Sequence, residues 1–237
     1  MILWLRSLAF NIAFWLTTAV VALLGLPALL MPDHRRSIRV VRLYARIVLA
    51  ELRLFCGIRL RVTGEEHLPR GGAALIAAKH QSAFDTLVWL SLLPDPCYVL
   101  KQELLRIPFW GWWARATRQI AVDRDAGASA MRHLLKAGRA AAAEGRQLVI
   151  FPEGTRTAPG VRVPYQPGIV ALASATGLPV IPVATDSGLV WGRRAFVKRP
   201  GTITVAVLPP LPAGLPKAEL LPRLEEMIEA ETTRLGA

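Results

Sequence analysis

Residues 73–93 read AALIAAKHQSAFDTLVWLSLL, and the fold turns on this passage. AALIAA is an unbroken apolar run of strand length, KHQS interrupts it, and the helical run that follows starts near Ser82. A strand that leads through a short polar loop into a helix is the building unit of α/β layers. The same alternation continues along the chain after Gly57. IRLRVTG, CYVL, RQIAV, QLVIF, LPVIPVA and TITVAVL read as further strands. Between them DAGASAMRHLLKAGRAAAAEG, GIVALASATG and KAELLPRLEEMIEAETTRL read as helices, the first of these closed by Gly145. The expected fold class is therefore α/β: a mixed, largely parallel sheet flanked by helices. No internal repeat and no low-complexity tract interrupts it.

The chain before Gly57 is of another kind. From Ser7 to Pro32 no residue is charged, which is more than the roughly 20 apolar positions a spanning helix needs. The run also exceeds a signal-peptide core, and no A-x-A cleavage pattern follows it. A retained membrane segment is expected, with Pro27 and Pro32 permitting a bend. Arg35, Arg36, Arg39, Arg42 and Arg46 crowd its C-terminal side against Arg6 alone before it, which would place the following domain in the cytoplasm, at the inner membrane. Ile38, Val41, Ala45, Val48, Leu52 and Phe55 keep the three-and-four spacing of an amphipathic helix. Its basic face suits either water or anionic headgroups. Two domains are expected: a membrane-anchoring and amphipathic helical region over 1–56, and an α/β domain over 57–237.

The chain of 237 residues carries a formal charge of +12 and is 53% hydrophobic. Its pI is near 10.9 and its mean hydropathy +0.37. Basic and greasy together point to an anionic membrane surface, and no basic groove interleaved with stacking aromatics supports nucleic acid as a partner. Cys56 and Cys97 lie inside apolar runs, and His34, His67, His80 and His133 are widely separated, so no metal site is expected.

Two polar segments carry the candidate chemistry. Within one regular helix, positions five apart point about 140° away from each other, so His80 and Asp85 meet only if His80 lies in the loop and Asp85 in the first helical turn. There Asp85 would fix one imidazole nitrogen and leave the other free to take a proton. The competing reading is structural, because Ser82-x-x-Asp85 resembles a capping box. FPEGTRT, residues 151–157, follows the strand QLVI, and its glycine, hydroxyls and arginine could cradle a phosphate. Glu153 would orient Arg156 or accept a substrate hydroxyl. An ordinary Pro-Gly turn is the alternative.

Together these segments resemble the glycerolipid acyltransferase family, most closely its 1-acyl-sn-glycerol-3-phosphate O-acyltransferase branch. KHQSAFD is similar to the family's His-x4-Asp block and FPEGTRT to its third block. KQELLRIPFWG, VDRD, YQPGIVALA and LPVIPVA resemble further blocks in the family's order, over about Arg59 to Leu208. Lys79 stands where the family commonly has Asn, and Gln166 where Lys is frequent; both departures bear on headgroup preference. The resemblance implies that His80 is the general base and Asp85 its orienting partner. It implies that Glu153, Gly154, Thr155 and Arg156 hold a glycerol phosphate, with Lys101 and Arg124 as further phosphate contacts. The implied reaction moves an acyl group from acyl-CoA or acyl-carrier protein to the sn-2 hydroxyl of lysophosphatidic acid, without an acyl-enzyme and with no cofactor. A backbone N–H near the helix start would serve the oxyanion. Trp110, Trp112 and Trp113 would suit an interfacial depth or ordinary packing. The same chemistry on a lyso-ornithine lipid, another lysophospholipid or glycerol-3-phosphate is an alternative, as is a membrane-binding protein that keeps the fold without catalysis.

Overall fold

The computed structural model describes residues 1–236. The chain begins with helices α1 (Ile2–Leu24), α2 (Leu26–Leu29) and α3 (His34–Glu51), and α3 runs on through a π-helical turn, Leu52–Cys56. Gly57, at φ 69, then turns the chain into β1 (Ile58–Thr63). After it come β2 (Ala74–Ala78), α4 (Phe84–Leu92), β3 (Pro96–Lys101), α5 (Trp110–Ala116), β4 (Ile120–Val122) and α6 (Gly127–Ala143). The remaining elements are β5 (Gln147–Ile150), α7 (Gly168–Thr176), β6 (Val180–Thr185), α8 (Ser187–Val190), β7 (Gly201–Val207) and α9 (Lys217–Gly236).

All seven strands read from the sequence form one sheet in the order β1-β7-β6-β2-β5-β3-β4. Every neighbouring pair is parallel except β6 and β7. The sheet is therefore mixed and mostly parallel, and buried on both faces as such sheets must be. The two faces of β2 separate the core. Ile76 and Ala78 join a cluster with Phe84, Trp89, Val48 and Phe10, on the side of α1, α3 and α4. Leu75 and Ala77 join Leu134, Ile169, Leu172 and Leu224, on the side of α6, α7 and α9. Burying one such Phe or Leu contributes about 1.5–3 kcal/mol, and the two layers each supply several. Gly145 does close α6, with φ 76 at the residue after the C-cap.

The N-terminal helices share this core. On α3 the inward residues are Ile38, Ala45, Val48 and Leu52, with Val41 and Phe55 half-buried, while Arg35, Arg39 and Arg46 face outward. Asp33 caps α3 by accepting from the Arg35 amide, a contact worth about 1 kcal/mol. α1 is long and apolar enough to cross a membrane. Yet only Ser7, Phe10 and Ala22 of it are buried, and Trp4, Ile12, Trp15, Leu16 and Val20 are exposed.

Its inner face is pinned along its length by polar contacts. Arg6 donates to the Phe55 carbonyl at 2.7 Å, the Lys198 amide to Ser7 at 2.9 Å, and Thr18 pairs with Tyr44 at 3.0 Å. Lys198 Nζ donates to Asn11 at 2.7 Å. The same ammonium lies 5.1–5.6 Å from the ring centres of Phe10, Trp191 and Phe196.

The chain bends at Met31 and Pro32, the second of the two prolines expected to permit it, while α1 already ends at Gly25, whose backbone stays in the right-handed helical region. The Trp113 ring packs there so closely that a Cβ on Gly25 would lie 2.5 Å from it. Pro27 follows harmlessly in the first turn of α2. Trp113 is thus a packing residue, whereas Phe109, Trp110 and Trp112 are exposed.

Candidate active site

Five parallel strands, β2 to β6, end on one edge of the sheet, and an open α/β sheet gathers its ligands at such an edge. β2 delivers Lys79 and His80 there, β5 the loop 151–157, β3 Lys101 and β4 Arg124. Residues far apart in sequence therefore meet as a consequence of strand direction. The Lys79 amide continues the ladder by donating to the Val183 carbonyl at 2.8 Å, which fixes how the chain leaves β2.

His80 lies in the loop and Asp85 in the first turn of α4. His80 Nδ1 is 3.0 Å from Asp85 Oδ2. That oxygen also accepts from the Gln81 amide at 2.7 Å and the Ser82 amide at 2.8 Å. Asp85 therefore serves the helix start and the imidazole at once, so the geometry that each reading requires is present. Ser82 Oγ takes the Phe84 amide at 3.2 Å. An acceptor already holding two N–H groups fixes the proton on Nδ1 and leaves Nε2 with its lone pair. The His80 ring stacks on Phe151 at 4.1 Å between centres, which sets its plane, and its side chain keeps 12% exposure. The backbone amides of Gln81, Ser82 and Phe84 are committed by these bonds, so they are not free to serve an oxyanion.

The 151–157 loop is stitched to the His80 loop. The Thr157 amide donates to the His80 carbonyl at 2.8 Å, and the His80 amide donates to Glu153 Oε2 at 2.8 Å. Glu153 departs from expectation: its hydrogen-bonding partners do not include Arg156, and its carboxylate points inward, fully buried. Oε1 takes Thr157 Oγ1 and Lys79 Nζ, each at 2.9 Å. Burial pushes the Glu153 carboxyl above the usual carboxylate range, and Lys79 beside it opposes that shift. Glu153 thus holds the His80 loop and the 151–157 loop together. Lys79 is likewise buried, so it does not present a charge to an acceptor headgroup.

Gly154 sits at φ +70, and a Cβ there would lie 2.9 Å from Arg124 Nη1 and 3.5 Å from Gln166 Cγ. Arg124 donates to the Gly154 carbonyl, which brings the guanidinium against the loop. Burial lowers the Arg124 pKa, though it stays a cation. Thr155 is exposed and Arg156 half-buried. Among the described residues the Arg156 guanidinium has no hydrogen-bonding or ionic partner. Lys101 ends β3 on the same edge, exposed, and no hydrogen bond joins it to either loop.

Two contributors were not singled out in the sequence. Glu229, midway along α9, bonds Lys79 Nζ at 2.5 Å and accepts from Tyr165 Oη at 2.9 Å. Its only trace in the sequence is a carboxylate beside the apolar stripe Leu220, Leu224 and Ile228. Gln81 is the other: its Oε1 accepts from the Gly188 amide at 3.0 Å, docking α8 on the histidine loop.

The site sets a histidine with a free ring nitrogen beside a loop that carries backbone, hydroxyl and guanidinium donors. The family model described as Acyltransferase matches residues 59–186, which contain every residue of the His80 and 151–157 loops. The chain is 34% identical over 201 residues to a protein of Pseudomonas aeruginosa named 1-acyl-sn-glycerol-3-phosphate acyltransferase, covering 85% of this chain and 78% of that one. A protein of the same name from Limnanthes douglasii is 32% identical over 185 residues, or 77% of this chain and 65% of the relative. The crystal structure of the 1-acyl-sn-glycerophosphate acyltransferase of Thermotoga maritima superposes with a TM-score of 0.79 at 21% identity, over 98% of this chain and 97% of the other. With the matched segment spanning both loops and the whole sheet edge between them, the chain belongs to the acyltransferase family.

Proposed function

We propose that the protein is a 1-acyl-sn-glycerol-3-phosphate O-acyltransferase that uses His80 as general base and makes phosphatidic acid for phospholipid biosynthesis. The observation that carries this reading is the Asp85–His80 pair beside the 151–157 loop, inside the segment that the family model matches. His80 Nε2 takes the proton of the sn-2 hydroxyl as its oxygen attacks the thioester carbonyl of acyl-CoA or acyl-carrier protein. Asp85 steadies the imidazolium. The tetrahedral intermediate collapses with cleavage of the C–S bond, and the imidazolium returns the proton to the departing thiolate. Arg124, Arg156, Thr155 and the Gly154 backbone bind the glycerol phosphate, with Lys101 as a more distant contact. Residues 1–56 act as the membrane-anchoring region of the catalytic domain, 57–237. The exposed apolar side of α1 rests in the cytoplasmic face of the inner membrane, with the basic face of α3 at the headgroups.

The test is product analysis in mixed micelles with acyl-CoA, offering lysophosphatidic acid and lyso-ornithine lipid separately, with His80→Ala in parallel. Phosphatidic acid formed by the parent and lost in the variant is expected. Transfer only to lyso-ornithine lipid would replace the acceptor and keep the base, an outcome that Gln166 beside Gly154 makes worth measuring. Full turnover by His80→Ala would end the base assignment.

A further inference from the structure

We propose that Lys79 and Glu229 are positioning residues of the acyl-transfer site: the C-terminal helix holds the His80 loop and the 151–157 loop in register through a buried Glu229–Lys79–Glu153 relay. The inference rests on the reading of His80 as the base. Lys79 Nζ lies 2.5 Å from Glu229 Oε1 and 2.9 Å from Glu153 Oε1, and its side chain is 1% exposed. Glu153 passes the restraint on, since its Oε2 accepts the His80 amide and its Oε1 the Thr157 hydroxyl. A contact 150 positions long in sequence thus ends on the backbone of the residue that takes the proton.

An ammonium buried between two carboxylates is a poor way to gain stability, because desolvation offsets most of the attraction. An apolar trio would fill the space as well. What the apolar trio lacks is an ionised acceptor at Glu153 aimed at a backbone N–H of the catalytic loop. The relay carries two negative charges and one positive, and Arg162, 3.9 Å from Glu229 Oε2, lends a second cation from the surface. Glu153 is also faced by Tyr165 from the segment before α7, and Glu225 of α9 lies close to Tyr165. Within its own loop Thr157 donates to it, and across the loop stand His80 and Asp85.

The test replaces both distal partners together, Lys79→Met with Glu229→Leu, in the full chain in detergent micelles. One positive and one negative charge leave together, so their direct fields at His80 largely cancel, and the apolar pair keeps the space filled. Three readings are taken. Hydrogen exchange of the His80 and Thr157 amides is expected to quicken roughly tenfold or more while the strands of the sheet keep their protection. The kcat for lysophosphatidic acid is expected to fall roughly 10- to 100-fold. The acid limb of its pH profile should move upward, because Glu153 without Lys79 protonates more easily and a protonated Glu153 holds the His80 amide less well. Unchanged exchange at His80 and Thr157 overturns the proposal, whatever the activity does. An unmoved acid limb overturns the relay's charge dependence. A parent that acylates no acceptor would refute the functional reading instead, and the exchange measurement would still decide the relay.

Discussion

Both edges of the sheet bury a long cation, and they use it differently. At the site edge, Lys79 is a point charge between two carboxylates, and the restraint ends on the His80 loop. At the opposite edge, before β3 and β5, Arg146 is 2% exposed. It donates to Asp95 Oδ1 at 3.0 Å, and its other donors go to the carbonyls of Arg118 at 2.8 Å, Thr117 at 2.9 Å and Pro96 at 3.3 Å. Asp95 Oδ2 also holds His34, at 3.0 Å, which ties the start of α3 to the sheet. A planar guanidinium fork spent on backbone carbonyls locks chain segments into one geometry. An ammonium among carboxylates is instead sensitive to the protonation of each partner. One edge is framework, and the other, in the proposed reaction, is an adjustable mount for the His80 base.

Mutation can break this contrast, beginning with the largest effect. His80→Ala should lower kcat by about 10²–10⁴, the range of a lost general base, with the unfolding midpoint unchanged. Arg146→Ala should do the reverse. Leaving Asp95 and three carbonyls short of a buried donor should cost about 3 kcal/mol in urea unfolding, with kcat per folded molecule within about twofold of the parent.

Gly154→Ala refines the picture of the site edge, since a left-handed alanine pressed on Arg124 costs about 1–2 kcal/mol. The expected result is a KM for lysophosphatidic acid raised roughly 5- to 20-fold, with the acyl-CoA KM nearly unchanged. The last prediction concerns the framework edge. Burial raises the Cys97 thiol from 9.0 to about 11, so at pH 8 its alkylation should be very slow until the protein unfolds. The folded pKa lies above the unfolded one, so this thiol's contribution to stability is complete below pH 9 and lost as pH rises toward about 11. Unfolding midpoints across that window check the sign.

The sequence made the strands legible because each is a short apolar run set off by polar or turn residues. All seven are present, and the meeting of His80 with Asp85 follows from strand-then-helix order alone. The stretch from Gln102 to Ala116 was harder. It holds a 3-10 turn and α5, and neither has the spacing that announces a helix. The close packing of Trp113 on Gly25 comes from another element, so no local signal predicts it. The inward turn of Glu153 was hidden for the same reason. Its partner Lys79 is itself anchored by Glu229, and a pairing at that separation leaves no periodicity to read.

Among the described strands one neighbouring pair, β6 and β7, is antiparallel, and this bears on how a lipid would reach His80. Because β1 runs with β7, it begins on the edge where β2 ends, three strands along from β2, so α3 hands the chain to the sheet on the same edge as His80. Had β1 run with the others, α3 would join it on the far edge, a strand length or about 17–20 Å away. That distance exceeds half of a bilayer's roughly 30 Å core. In the proposed reaction, one reversed strand spares the acceptor that climb: a lysolipid can lift its glycerol into the site while its tail stays among other tails.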